Sequence, residues 1–477
     1  MKLTKKIISI FLCLAMCLGI VGMLASCGPD TDTPSGGDGK TITVKYYNGG
    51  YGQDWAEKIA KSFEEANPGY KVKLDPDANL LSSIGSDLEN GTDVDIYMCH
   101  DIQWQYYASE GLLANLDDLY EMTNSDGDKF SSRVKSSSLD SAKCEGKNDS
   151  EAHYYKVHWT QGVGGIVYNV DMFRQNGWTV PTTYAELETL CANIVAARIS
   201  NSDGSDIVRP FSWSGTEDYM WDYTVFEWWA QLAGLDKIAN LMKYESAETF
   251  NPDNNWKEMK EAYALWYNLI AKHPEYSVKN PTSQNKSASQ QQFILGNVAM
   301  LPSAHWFYKE AGGANIDFNI AVMSTPTATG ATETGKLNYN VGFGDSIIIP
   351  KNSDAVEGAK KFILFLSEKA NCKTFVEESQ GSFLAFDYST VDLGTVATSN
   401  KFIESVYNKL TQSTNFNHYS QNPITYFNDK KVMPWIANTY YYKDAFTNSN
   451  GNTPDAVFSK VYQTAKDNWD SWSRNAQ

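Results

Sequence analysis

Along the first folded stretch the apolar positions alternate with polar ones. Ile42, Val44 and Tyr46 point one way, the two-residue period of a strand. A loop, Asn48-Gly49-Gly50-Tyr51-Gly52, leads into a helix predicted over about 54–66. There Trp55, Ile59 and Phe63 recur at spacing four, with Ala56 and Ala60 beside them. Asn67-Pro68-Gly69 stops that helix, and Val72 and Leu74 open the next strand. A helix over about 81–89, a strand over 94–98 and a helix ending at Gly111 follow. Strands taking turns with helices predict an α/β fold with mainly parallel sheets flanked by helices.

The pattern restarts further on. Gly164 to Asn169 is strand-like, and a short helix after it ends at Gly177. Thr183 with Glu186 forms a capping box for a helix to about Arg198, whose apolar face is Leu187, Leu190, Ile194 and Val195. A helix near Ser353 carries Val356, Ala359, Phe362 and Leu366 on one side. The last helix starts at Thr453-Pro454, an N-cap followed by proline at the first helical position.

The N-terminus follows a different pattern. Met1 to Lys6 holds three lysines and no acid, and Ile7 to Met23 is apolar but short and wrongly flanked for a stable membrane span. The run closes on Leu24-Ala25-Ser26-Cys27, which resembles the lipobox of bacterial lipoproteins. Residues 1–26 are therefore expected to be a signal peptide. Cys27 would become the lipidated N-terminus, anchored at the extracytoplasmic face of the cell membrane by acyl chains that hold stably in pairs. Residues up to Lys40 (GPDTDTPSGGDGK) have nothing apolar to bury and form a tether of roughly 20 Å.

The 477-residue chain carries a net charge of −17, which becomes −20 once the three signal lysines leave. That excludes nucleic acid as a partner and adhesion to an anionic bilayer by charge. Cys99, Cys144, Cys191 and Cys372 are widely spaced, in no metal-ligand pattern, and are expected to be free, mostly buried thiols. About 450 remaining residues point to two lobes.

Five segments in order resemble the family-1 extracellular solute-binding proteins of carbohydrate ABC importers, maltose-binding-protein-like lipoproteins. They are WAEKIAKSFEEANPGYKVKL (55–74), DVDIYMCHDIQWQYYASEGLLANLDDL (93–119) and YYKVHWTQGVGGIVYNVDMFRQNGW (154–178), continuing into PTTYAELETL. FILGNVAMLPSAHW (293–306) and GFGDSIIIPKNSDAVEGAKKFILFLSEKA (342–370) complete the set. His158 stands where the family commonly has proline, and the stretch beyond about Asp387 matches poorly. The resemblance implies a two-lobed periplasmic-binding-protein-like fold of type II with a hinge between lobes. Residues 41–157 and 316–370 would form lobe 1, and 158–315 and 371–477 lobe 2. It also implies a monomeric receptor, not an enzyme, that hands an oligosaccharide to the permease subunits of a transporter and needs no cofactor or metal.

A sugar offers an apolar face and a rim of hydroxyls, so its site needs aromatic platforms and a few planar polar groups. Trp159, after the expected crossing and before the glycine-rich Gly162–Gly165, is one candidate platform. Trp306 ends a segment whose family counterpart turns into the cleft, and Trp213 sits in a loop. Trp221, Val225, Trp228 and Leu232 recur at helical spacing and read as core. Tyr51 and Asp54 flank the first strand-to-helix turn, where open α/β sheets receive ligands, and Asp101 and Trp104 flank the turn after the 94–98 strand. Gln161, Glu217 and Asp345 complete the candidates. Two rival readings are a mostly helical surface glycan-binding lipoprotein of the outer-membrane type and a secreted glycosidase. Phosphate-loop, zinc-protease and nucleophile-elbow motifs are absent from the sequence.

Overall fold

The computed structural model describes residues 39–333, 335–428 and 441–476. Cys27, its lipobox and the tether up to residue 38 lie outside the described residues. In chain order the first elements are β1 (Thr41–Tyr46), α1 (Asp54–Ala66), β2 (Lys71–Pro76), α2 (Ile84–Asn90), β3 (Ile96–Cys99) and α3 (Trp104–Ser109). Then come β4 (Val157–His158), β5 (Gly164–Asn169), α4 (Val170–Asn176), α5 (Tyr184–Ala197), β6 (Arg209–Phe211), α6 (Asp222–Ala233), β7 (Val298–Ala304) and β8 (Ile320–Val322). The last third contributes β9 (Leu337–Tyr339), β10 (Ser346–Ile348), α7 (Val356–Leu366), α8 (Lys369–Ser379), α9 (Lys401–Gln412), β11 (Thr414–Phe416), α10 (Pro423–Asn428), α11 (Tyr441–Thr447) and α12 (Pro454–Asn475).

Local signals are read by the backbone as expected. Thr183 and Glu186 close a reciprocal capping box at the start of α5. Gly177 ends α4 in the left-handed conformation, and the Thr183-type cap recurs at Thr453 before α12. The stripe Trp55, Ile59 and Phe63 is buried on α1.

Two sheets form two lobes. One has the order β2-β1-β3-β10-β4 and the other β8-β5-β7-β6. The pairs β1–β2 and β1–β3 are parallel, as the alternation predicted. β10 runs antiparallel to β3 and β4, and β5 antiparallel to β7 and β8, because these strands belong to chain passing between the lobes or doubling back. The sheets are therefore mixed.

The chain leaves the first sheet after β4 and enters the second at β5. The return, expected near Ile316, falls later: β8 still pairs with β5 in the second sheet, and β10 is the first strand back. α8, expected in lobe 2, packs on α1 of lobe 1. Phe375 meets the Trp55 ring edge-on at 5.0 Å, and Lys58 pairs with Glu378. Only then do Phe383–Leu384 pair with Thr160–Gln161 and lead the chain into α9 beside β8.

The period of two within each strand decides which core each side chain joins. Ile96 and Met98 face a large core with α1 and α7, while Tyr97 and Cys99 face a smaller one with α2 and α3. In the second sheet Val167 and Leu301 join the large core, and Ile166 and Met300 join a separate aromatic core with α5, α6 and α12. Trp221, Val225 and Trp228 lie in that core, as their spacing predicted. Cys99, Cys191 and Cys372 are buried free thiols and Cys144 a half-buried one. Among the described residues no helix is long and apolar enough to cross a membrane.

Candidate ligand-binding cavity

A cavity of about 810 Å³ is walled by the loops after β1 and β3, the crossing segments, the start of α6, and residues 417–426 of the C-terminal part. Its construction begins at Gly50. This residue has φ +21°, and a Cβ there would sit 2.7 Å from Trp306 Cβ, so only glycine lets the loop lie against that indole. The loop then delivers Tyr51 to the crossing. Tyr51 donates its hydroxyl to Asp345 Oδ2 at 2.7 Å, and Thr160 Oγ1 donates to the same oxygen at 2.6 Å. Three chain segments are thereby tied at one carboxyl. Burial pushes Asp345 above the usual carboxylate range even though both donors favour its charge.

Trp159 fills the space behind this knot. Its ring stands edge-on to Tyr51 at 5.1 Å and tilted against Trp55 at 6.0 Å. It borders the cavity but is only 1% exposed, so it is a packed wall rather than an open platform. The glycines after it approach protein, not open space. A Cβ on Gly162 would strike the His305 ring, and one on Gly164 the Tyr223 ring.

The opposite wall is more open. Trp306 is half-buried, edge-on to Tyr223 at 6.0 Å, and Tyr219 is 45% exposed. Lys286 Nζ and Glu310 Oε1 form an ion pair at 2.5 Å on the same side. Tyr339 stacks on His418 with its hydroxyl 2.8 Å from Nδ1. At the end of β3, Asp101 adopts φ 53° and contacts His100 Nδ1 at 3.0 Å. Trp104 begins α3 with its ring beneath Lys156.

Six of the predicted positions, Tyr51, Asp101, Trp104, Trp159, Trp306 and Asp345, thus border the cavity. Four do not, each for a visible reason. Trp213 is buried in the aromatic core, its indole N–H donating to Ser277 Oγ at 3.0 Å. Asp54 is exposed in the first turn of α1 and ion-paired with Lys309 at 2.7 Å, which lowers its pKa. Gln161 is buried and donates to the carbonyls of Leu384 and Phe386, stitching the crossing strand to its neighbour. Glu217 accepts from Ser214 and Thr216 and from the Lys286 backbone N–H, and so braces a loop.

Sequence reasoning missed Tyr219, Tyr223, Tyr339, Lys156, Lys286 and Tyr419. One signal existed: Tyr223, Val225, Phe226, Trp228 and Trp229 are too many for one helix face, and in the structure every residue of α6 from Tyr223 to Gln231 is buried. A helix with large apolar residues on every side must be covered on more than one, and Tyr223 and Phe226 border the cavity. Among the described residues no cluster of His, Cys, Asp and Glu could hold a metal ion.

The fold and cavity define a two-lobed binding protein, and residues 49–371 match the model for bacterial extracellular solute-binding proteins; the chain belongs to that family. It is 24% identical over 358 residues to the multiple sugar-binding protein of Streptococcus mutans, covering 73% of this chain and 77% of that one. It is 21% identical over 353 residues to the diacetylchitobiose binding protein NgcE of Streptomyces coelicolor. That match spans 69% of this chain and 66% of NgcE, just under two thirds of the relative's length. Among solved structures, an ABC substrate-binding protein of Listeria monocytogenes in complex with cycloalternan superimposes with a TM-score of 0.64 at 18% identity, over 90% of this chain and 98% of that one. The cavity residues from 417 to 426 lie beyond the family match.

Proposed function

We propose that the chain is the extracytoplasmic receptor of a carbohydrate ABC importer: it captures an oligosaccharide in the cavity and passes it to membrane permease subunits. The observation that carries this reading is the cavity itself, large enough for several sugar rings and walled by tyrosine and tryptophan interleaved with carboxyl, amine and amide groups. That mixture suits a ligand with apolar ring faces and hydroxylated edges. The sugar ligands named for its relatives support the same class. Trp306 and Tyr219, the more open aromatics, serve as stacking platforms. Asp101, Trp104 and Asp345, with Tyr51 and Trp159 behind them, shape the polar side. Cys27 carries the lipid anchor, and the receptor acts as a monomer.

The reading is tested by calorimetry of residues 38–477, which form one compact unit, against a panel of oligosaccharides. Micromolar or tighter binding to at least one, with the sugar recovered intact, is expected. Binding to none of a broad panel, or release of cleaved sugar, would refute it.

A further inference from the structure

The cavity holds two lysines in opposite states. Lys286 is closed into an ion pair with Glu310, its Nζ 2.5 Å from the carboxylate. Lys156 is 1% exposed and borders the cavity, yet its described neighbours offer no counter-ion. Among the described residues no carboxylate lies within 4.0 Å of its Nζ, and its one hydrogen bond is a 3.3 Å donation to Ser346 Oγ. An ammonium has three donors. Its remaining surroundings are aromatic: Trp104, Phe343 and Tyr419 have ring centroids 5.3, 5.7 and 5.9 Å away. Asp345 acts on it only through space, since Oδ2 of that carboxyl is already taken by Tyr51 and Thr160.

Such an arrangement is costly. A buried charge needs a partner, and ring faces replace one only in part. Burial accordingly pulls the lysine down to about 7. The three rings come from α3, from the segment before β10, and from the part of the chain beyond the family match. All three rings also line the cavity, so the ammonium lies among aromatic faces in its wall. What this part of the wall lacks is a carboxylate within 4.0 Å of Nζ, and an anionic group on a ligand in the cavity would supply that charge.

We propose that Lys156 determines the specificity of this cavity by reading an anionic substituent on the sugar, either a uronic-acid carboxylate or a sulfate ester. The proposal rests on the carbohydrate reading above. A carboxylate or sulfate oxygen brought to Nζ forms a charge-assisted hydrogen bond in a low-dielectric box, where it is stronger than in water. A neutral hydroxyl would accept a hydrogen bond from Nζ but leave the charge unpaired. Long-range attraction does not drive capture, because the protein is strongly acidic overall; discrimination is local.

The test is calorimetry of residues 38–477 with trigalacturonic acid and a sulfated lactose, each against its neutral counterpart, galactotriose and lactose. At least one acidic ligand should bind 100-fold or more tighter than its counterpart, and the arm that does so names the anion. Lys156→Met should erase that preference, bringing acidic and neutral ligands within threefold of each other. Lys156→Arg should retain most of it. Melting of the Met variant at or above the wild-type temperature would show that it folds. If it does not fold, the wild-type preference and Lys156→Gln decide the matter. Equal wild-type affinity for acidic and neutral sugars, or an undiminished preference in the variants, would overturn the proposal while leaving the carbohydrate reading intact. Binding only to neutral sugars from the broader panel would do the same. Binding to no sugar at all would overturn both.

Discussion

Trp159 and Trp306 both border the cavity, yet the structure holds them in opposite ways. Around Trp159 the wall is locked: Tyr51, Thr160 and Asp345 share a buried carboxyl, and Trp55 and Tyr51 pack the indole on two sides. Around Trp306 the wall is looser, with Tyr219 45% exposed and the Lys286–Glu310 pair at the cavity edge. On the first side three chain segments meet at one carboxyl. The second can fit itself to a ligand. Two tryptophans of one cavity thus differ in how far their neighbours enclose them, 1% exposed for Trp159 and half-buried for Trp306.

The difference predicts separable effects. The largest is on stability: Trp159→Ala should cost about 3–5 kcal/mol, the range for truncating a core tryptophan, and lower the ligand-free melting temperature sharply. A ligand-free melting temperature near wild type would mean the indole is a platform after all. Next, Trp306→Ala should weaken sugar binding by about 2 kcal/mol or more, roughly 30-fold, with little change in ligand-free melting. Titration calorimetry beside thermal denaturation reads both quantities.

Tyr51→Phe leaves Asp345 with one donor fewer in a buried site, and about 1–3 kcal/mol of stability should go with it. Chemical denaturation measures that loss, and an unchanged midpoint would mean that the knot is not a fastener. The smallest effect concerns pH on the open side. Asp222 is half-buried in the cavity wall, bonded to the Tyr442 hydroxyl, and pushed up by desolvation to about 8 from an ordinary 3.8. The folded state therefore holds a proton that the unfolded chain releases. Its contribution is fully present below pH 4 and is lost as pH rises towards 8. Asp222→Asn should flatten the decline in melting temperature between pH 5 and 8, and an unaltered slope would contradict the assignment.

Much of the fold was legible because it depends on local physics. Helix α1 was bounded by Asn67-Pro68-Gly69 and by its own apolar stripe, and α5 by its capping box. The alternation of strand and helix implied an α/β fold, and chain length two lobes. The site was legible where a loop follows a parallel strand: Tyr51, Asp101 and Trp104 sit there, and all border the cavity. The polar residues chosen as loose loop groups fared differently. Gln161 and Glu217 were claimed by backbone partners, and Trp213 found Ser277, 64 residues away.

By itself, then, the sequence determined the elements, the lobes and the family, because caps, stops and apolar periods act over a few residues. Tertiary structure decided where the chain recrosses, that Trp159 is packed while Trp306 is only half-buried, and that Lys156 stands among Trp104, Phe343 and Tyr419. Those outcomes depend on which distant groups meet first and satisfy one another. A hydrogen bond or ion pair closed within the fold removes a residue from function, and no local spacing records that a partner is waiting hundreds of residues away.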